Sequence, residues 1–215
     1  MKLSADAKKI FNQINSDSTK LGDLKKLAKQ IKTDHELALE LWSTGEYHPR
    51  LLSTLIMDKK LLTQEFIESL ATDLEGQGED ESTRIMEWLM ANQLTKSKKT
   101  IELMLSWANH PSALLRRTFW YYQGRLRWTG QTPPDNTAEL VSAIESKLAD
   151  EEPEVQWAMN FTAAWIGVFD KRFRDRCIRI GETTGLYKEE KVPKGCTPNY
   201  LPAFIEIEAG KRKLN

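Results

Sequence analysis

Apolar residues recur three and four positions apart through most of this chain, a periodicity that suits helices and little else. Leu21, Leu24, Leu27, Ala28 and Ile31 form the first clear stripe. Asp34 can cap a helix from His35 to Trp42, which stops at Ser43, Thr44 and Gly45. Pro49 supplies preset first-turn geometry for a helix from His48 to Met57. Further stripes run through Thr63 to Leu74, Ser82 to Ala91 and Lys98 to Trp107. No window alternates with period two through β-branched residues, so the reading is all-α.

Three segments begin alike: His48-Pro49-Arg50-Leu51, His110-Pro111-Ser112-Ala113 and Glu152-Pro153-Glu154-Val155. Each sets a proline near the start of an apolar helix, as expected of an α-solenoid whose helix pairs bury their faces only against neighbours. The segment with Asp150, Pro153, Val155, Ala158, Ala163, Ile166 and Gly167 resembles the inner helix of a HEAT repeat, where small residues allow close helix approach. Val155, Ala158, Met159, Thr162, Ile166 and Phe169 should face the core, with Trp165 toward the C-terminal segment. Residues 185–205 hold three prolines and two glycines, a density that argues against regular helix. The expectation is one domain over 1–215, with a helical solenoid to 184, an extended strap over 185–208 packed on it, and a frayed end from Ala209.

Composition narrows the class. The 215 residues balance 31 Lys+Arg against 31 Asp+Glu and are 40% hydrophobic, which excludes a disordered tail and a disulfide-stapled miniprotein. The longest nearly apolar stretch, Phe161 to Phe169, falls far short of the ~20 residues that span a bilayer. Cys177 and Cys196 lie apart without a metal-ligand spacing, so reduced thiols and no metal are expected. The start Met1-Lys2-Leu3-Ser4-Ala5-Asp6 shows no hydrophobic signal region, so a cytoplasmic setting is expected, and no cofactor is expected. A monomer is the expected state. Charge is segregated: residues 68–87 carry seven acids and one Arg, whereas 103–134 carry no acid at all.

The acid-free stretch holds the main binding candidates. On a helix from Pro111 to Trp128, Leu115, Phe119, Tyr122 and Leu126 make a buried stripe. Arg116, Trp120 and Arg127 lie on an adjoining stripe beside Arg117, Tyr121 and Trp128, and Arg125 adds a further charge. Guanidinium groups alternating with aromatic rings suit phosphate contacts and duplex DNA. The alternative is a solvated face paired with the acids of 68–87. Lys171 and Arg172 open a second basic patch. His35, His48 and His110 have no matching carboxylate or serine, and Gly76-Gln77-Gly78 lacks the Lys-Ser/Thr of a phosphate loop.

Several blocks carry a family resemblance. The run Leu24 to Ile31 with Asp34-His35-Glu36-Leu37-Ala38 and Trp42, then Leu55 to Asp58, Val155 to Phe161, and Val192-Pro193-Lys194-Gly195-Cys196-Thr197-Pro198 resemble the bacterial DNA alkylation repair family of AlkD-type HEAT-like proteins. The resemblance spans roughly residues 20–205. It implies a right-handed stack of HEAT-like helix pairs gripping duplex DNA on a concave cationic face. Glycosylase members release cationic alkylpurines with a Trp, an Asp four residues later and a second Trp, the carboxylate offsetting positive charge on the sugar. Those positions align with Thr83, Glu87 and Phe161 here. Glu87 is therefore the candidate catalytic carboxylate, and Trp88, Trp157 and Phe161 the candidate aromatics on the substrate side. With one Trp lost and two positions altered, the expected function is DNA binding with weak or absent alkylpurine excision. A working glycosylase using Glu87 and a protein-interaction scaffold are the alternatives.

Overall fold

The structure, a computed structural model, describes residues 2–214, which form twelve α-helices joined by short 3-10 turns and irregular segments, with no strand among them. The chain divides into two compact units, Met1–Ser106 and Trp107–Asn215.

The first unit holds α1 (Ala5–Ile14), α2 (Leu21–Ile31), α3 (His35–Trp42), α4 (Tyr47–Ile56), α5 (Gln64–Leu74), α6 (Glu79–Asn92) and α7 (Lys98–Ser106). Short polar side chains start several of them. Asp34 accepts the Leu37 amide at 3.0 Å and Thr63 accepts that of Phe66 at 3.2 Å, each satisfying a donor the helix leaves open. Three acids, Glu79, Asp80 and Glu81, fill the first turn of α6, where the helix dipole favours negative charge. Part of the acidic segment is thereby explained locally. The central α4 packs against α2, α3 and α6 and buries Leu51, Leu52 and Ile56. Buried Arg50 lies over the Trp42 ring, donates to the Trp42 carbonyl at 3.2 Å and to Gln77 at 2.6 Å. Gln77 in turn donates to the Gly45 carbonyl, so one guanidinium ties the α3–α4 turn to the end of α5.

The second unit holds α8 (Ala113–Trp128), α9 (Thr137–Lys147), α10 (Pro153–Phe169), α11 (Lys171–Thr184) and α12 (Leu201–Lys211). Its centre is α10, which packs on α8, α9, α11 and α12. Val155, Ala158, Met159, Thr162 and Ile166 are buried, as the stripe implies. Phe169 is not: it ends the helix at 44% exposure, stacked on Trp165 and with the Arg212 guanidinium 6.0 Å from its ring centre. Gly167 explains the close approach of α12, since a Cβ there would lie 2.4 Å from Ile205.

The extended C-terminal strap needs correction. Irregular backbone runs only to Tyr200, and residues 201–211 are the helix α12. Pro202 occupies its first turn, where no amide hydrogen bond is lost, so the proline starts a helix there. Leu201, Ile205, Glu208 and Ala209 then recur at helical spacing and are buried. Ala209 thus belongs to a packed helix and not to a frayed end. Burial opposes ionisation of Glu208, yet hydrogen bonds from Lys211, Thr197 and Arg212 hold its carboxyl down to about 2. That cluster fastens the irregular segment to α12.

Candidate nucleic-acid interface

In the first unit, α2 presents Lys25, Lys29 and Lys32 at spacings of four and three, which places them along one helix face. They line a cleft of about 460 Å³ with Ala28, Thr33, Leu55 and Asn92, and no carboxylate lines it. Lys32 closes α2 with φ at +68°, in the half of backbone space that L-residues rarely adopt. The ammonium of Lys25 lies 4.8 Å from the centre of the Trp88 ring. Asn92 donates to the Trp88 carbonyl at 2.8 Å, and the indole nitrogen of Trp88 is buried without a hydrogen-bond partner. Glu87 precedes Trp88 on α6 and is half-buried, as is Thr83 one turn earlier. The candidate carboxylate therefore belongs to the unit that carries the lysine cleft.

The second unit brings another set together. Tyr121 of α8 lies 6.1 Å from Trp157 and 5.4 Å from Phe161, centre to centre, and the last two rings are stacked at 5.3 Å. Arg117 sits over both Tyr121 and Trp157, at 5.6 and 5.2 Å. Gly124 makes this contact possible: a Cβ at that position would meet the Phe161 ring at 2.5 Å. Thr162 adds a tie by donating to the Trp120 carbonyl at 2.6 Å.

The expected exposed stripe of arginines and aromatics on α8 does not exist as such. Leu115, Phe119, Tyr122 and Leu126 are buried as anticipated, but so are Arg117, Trp120 and Arg127. Trp120 packs edge-on against Phe119 in the core. Arg127 spends its donors on the Gln123 carbonyl and the Thr137 hydroxyl, and burial pushes its guanidinium pKa down. Arg116 pairs with Glu151 and Glu152, and donates to the carbonyls of His110 and Pro111 at 2.7 and 2.9 Å. Arg172 turns back onto Asp170, the cap of its own helix, at 2.7 Å. Arg125 stays half-buried and Lys171 is exposed. The stripe argument assumes one buried face, whereas α8 packs closely against α10 and is covered nearly all round. Covered in this way, Arg127 is held by a carbonyl and a hydroxyl and Arg116 by carbonyls and carboxylates.

The spacing of Lys25, Lys29 and Lys32 is legible in the sequence of α2, but the cleft they line is not. What sequence alone could not supply is that α4 and α6 leave that face open.

The profile of the DNA alkylation repair enzyme family matches residues 7–171. The chain belongs to that family. No curated protein sequence matches it. One solved structure is similar over 98% of this chain and 89% of the other, with a TM-score of 0.65 and 16% identity. It is described as a new family of proteins related to the HEAT-like repeat DNA glycosylases with affinity for branched DNA structures. At that identity the likeness establishes the HEAT-like helical fold for this DNA alkylation repair family member. Among the described residues no helix is long and apolar enough to cross a membrane, and no group of His, Cys, Asp or Glu is placed to hold a metal ion.

Proposed function

We propose that this member of the DNA alkylation repair family binds DNA through its phosphates and has little or no alkylpurine excision activity. The observation that carries the reading is the carboxylate-free lysine cleft of α2, with Lys25 over Trp88. Lysine ammonium groups on one helix face suit a sugar-phosphate backbone, because each phosphate neutralised releases condensed counterions. The branched-DNA affinity of the structural neighbour points the same way and makes junctions and forks the DNA to test.

Excision asks more than binding. A preorganised stabiliser of charge on the sugar must hold its place to about 0.5 Å, and losing one such group typically costs ~10² to 10³ in rate. At the aligned positions Thr83 offers no aromatic face, and Glu87 carries its carboxylate one methylene further than an Asp. Binding spread over many phosphates tolerates such changes; a site built from three groups does not.

The test is titration of duplex and forked DNA across salt concentrations, with single-turnover release of 7-methylguanine measured on the same protein. Salt-dependent binding that weakens in Lys25→Ala/Lys29→Ala/Lys32→Ala, with release at the spontaneous rate, is expected. Release well above the spontaneous rate and lost in Glu87→Gln would make the protein a glycosylase. Absence of binding at low salt would instead favour a protein-interaction scaffold.

A further inference from the structure

The sequence places Trp157, Phe161, Trp165 and Phe169 four residues apart on α10, so that one face of the helix carries a ladder of rings. Its inner rung is Trp165, only 5% exposed. Phe169 stacks on it with centres 5.7 Å apart and planes at 20°, and Trp128 of α8 stacks on it at 6.4 Å and 23°. Phe204 of α12 meets it edge-on at 5.2 Å, and Arg212 lies 4.8 Å from its ring centre. The outer two rings, Trp128 and Phe169, are 45% and 44% exposed. Two large rings are thus held in fixed orientations by a buried third while offering much of their surface to solvent. Core packing explains Trp165 and leaves the exposure of its partners unexplained.

Phe169 borders a cavity of about 440 Å³ lined by Arg127, Arg172 and Asp170, in which Arg172 is paired with Asp170 and the largely buried Arg127 leaves an excess of one positive charge. Thr137, Gln131 and the Gly130 turn complete its rim. Exposed aromatic faces beside such charge match a nucleotide, whose base is a π-surface and whose phosphate is anionic. In duplex DNA the base faces are already stacked on each other. Only unpaired bases, as in a single-stranded arm, present them.

We propose that Trp128 and Phe169 are stacking platforms for unpaired bases in a single-stranded segment of DNA, the one excess positive charge of the adjoining Arg127–Asp170–Arg172 cavity favouring its phosphate backbone. This rests on the DNA-binding reading above and adds to it the strand state recognised. It gives the second unit a role separate from the lysine cleft of the first.

The experiment uses the full chain and two fluorescent DNAs: a blunt duplex, and the same duplex bearing a single-stranded arm with 2-aminopurine in the arm. The armed DNA should bind more tightly, and 2-aminopurine emission should fall as its base stacks on a ring. Trp128→Ala/Phe169→Ala should weaken armed-DNA binding by about tenfold or more while duplex affinity changes less than about twofold. The aromatic variant Trp128→Phe/Phe169→Tyr should retain arm binding. Unchanged 2-aminopurine emission in the wild type overturns the proposal even if the alanine variant does not fold. So does an alanine variant that melts normally and binds both DNAs as the wild type does, or one that loses self-association and no DNA affinity. Duplex binding without arm preference sinks this proposal alone. No salt-dependent binding to either DNA sinks the DNA-binding reading with it.

Discussion

Replacing Arg116 separates two roles that the sequence alone leaves confounded. As a phosphate contact, its loss would lower the slope of log affinity against log salt by about 0.9 and leave stability alone. The structure gives it other work. Its Nε and Nη2 donate to one oxygen of Glu151 at 3.2 and 3.1 Å, Nη2 also pairs with Glu152, and Nη1 holds the two carbonyls of the turn before α8. The Arg116 and Glu151 side chains are 12% and 16% exposed, so Arg116→Ala leaves a largely buried carboxylate without its cation. Glu152 is 54% exposed and adds little. The cost should fall between the ~1 kcal/mol of an exposed pair and the ~3–5 kcal/mol of a broken buried one, at about 2–4 kcal/mol. For a chain of this size that lowers the melting temperature by roughly 5–15 °C. Arg116→Lys should recover only part of it, because an ammonium cannot span both carbonyls and carboxylates as the guanidinium fork does. Urea unfolding followed by circular dichroism, with DNA titrations at several salt concentrations, reads both quantities. A stability loss below about 1 kcal/mol together with a shallower salt slope would refute the structural role and return Arg116 to the DNA.

Three further outcomes are expected. Ile166→Ala removes a fully buried side chain from the last turn of α10 and should cost ~2–5 kcal/mol in chemical denaturation; a loss under about 1 kcal/mol would place that helix at the periphery. The Glu208 carboxyl is held down to about 2 in the fold, below its ordinary value of about 4.3, so its stabilisation is present above pH ~4.3 and is lost as pH falls toward 2. Acid titration of stability should show that loss in the wild type, of order 2–3 kcal/mol, and Glu208→Gln should flatten it. Burial pushes the Cys177 thiol up to about 12, whereas Cys196 is exposed. Mass spectrometry after iodoacetamide should therefore find Cys196 alkylated in the native protein and Cys177 only after unfolding.

Helices, their caps and their apolar stripes were legible in the sequence because they are local. Asp34 and Pro153 act within one turn, and the buried residues of α10 and the apolar stripe of α8 follow from a 3.6-residue period. Family membership was legible for the same reason, since it rests on short blocks of residues. The C-terminal helix was misread because a proline's effect depends on its place in the helix. Pro202 opens α12 much as Pro153 opens α10, and proline density alone does not distinguish starting from breaking. The polar faces needed tertiary structure. Whether an arginine meets solvent, phosphate or carboxylate depends on how many neighbours its helix has, and α8 has enough to bury Arg117 and Arg127. Lys25, Lys29 and Lys32 stayed open because the packing around α2 leaves their face as a cleft. Trp128 and Phe169 became exposed platforms because Trp165, buried between α8, α10 and α12, takes the inner place. Periodicity determines which residues share a face; only packing between distant segments decides which faces are covered.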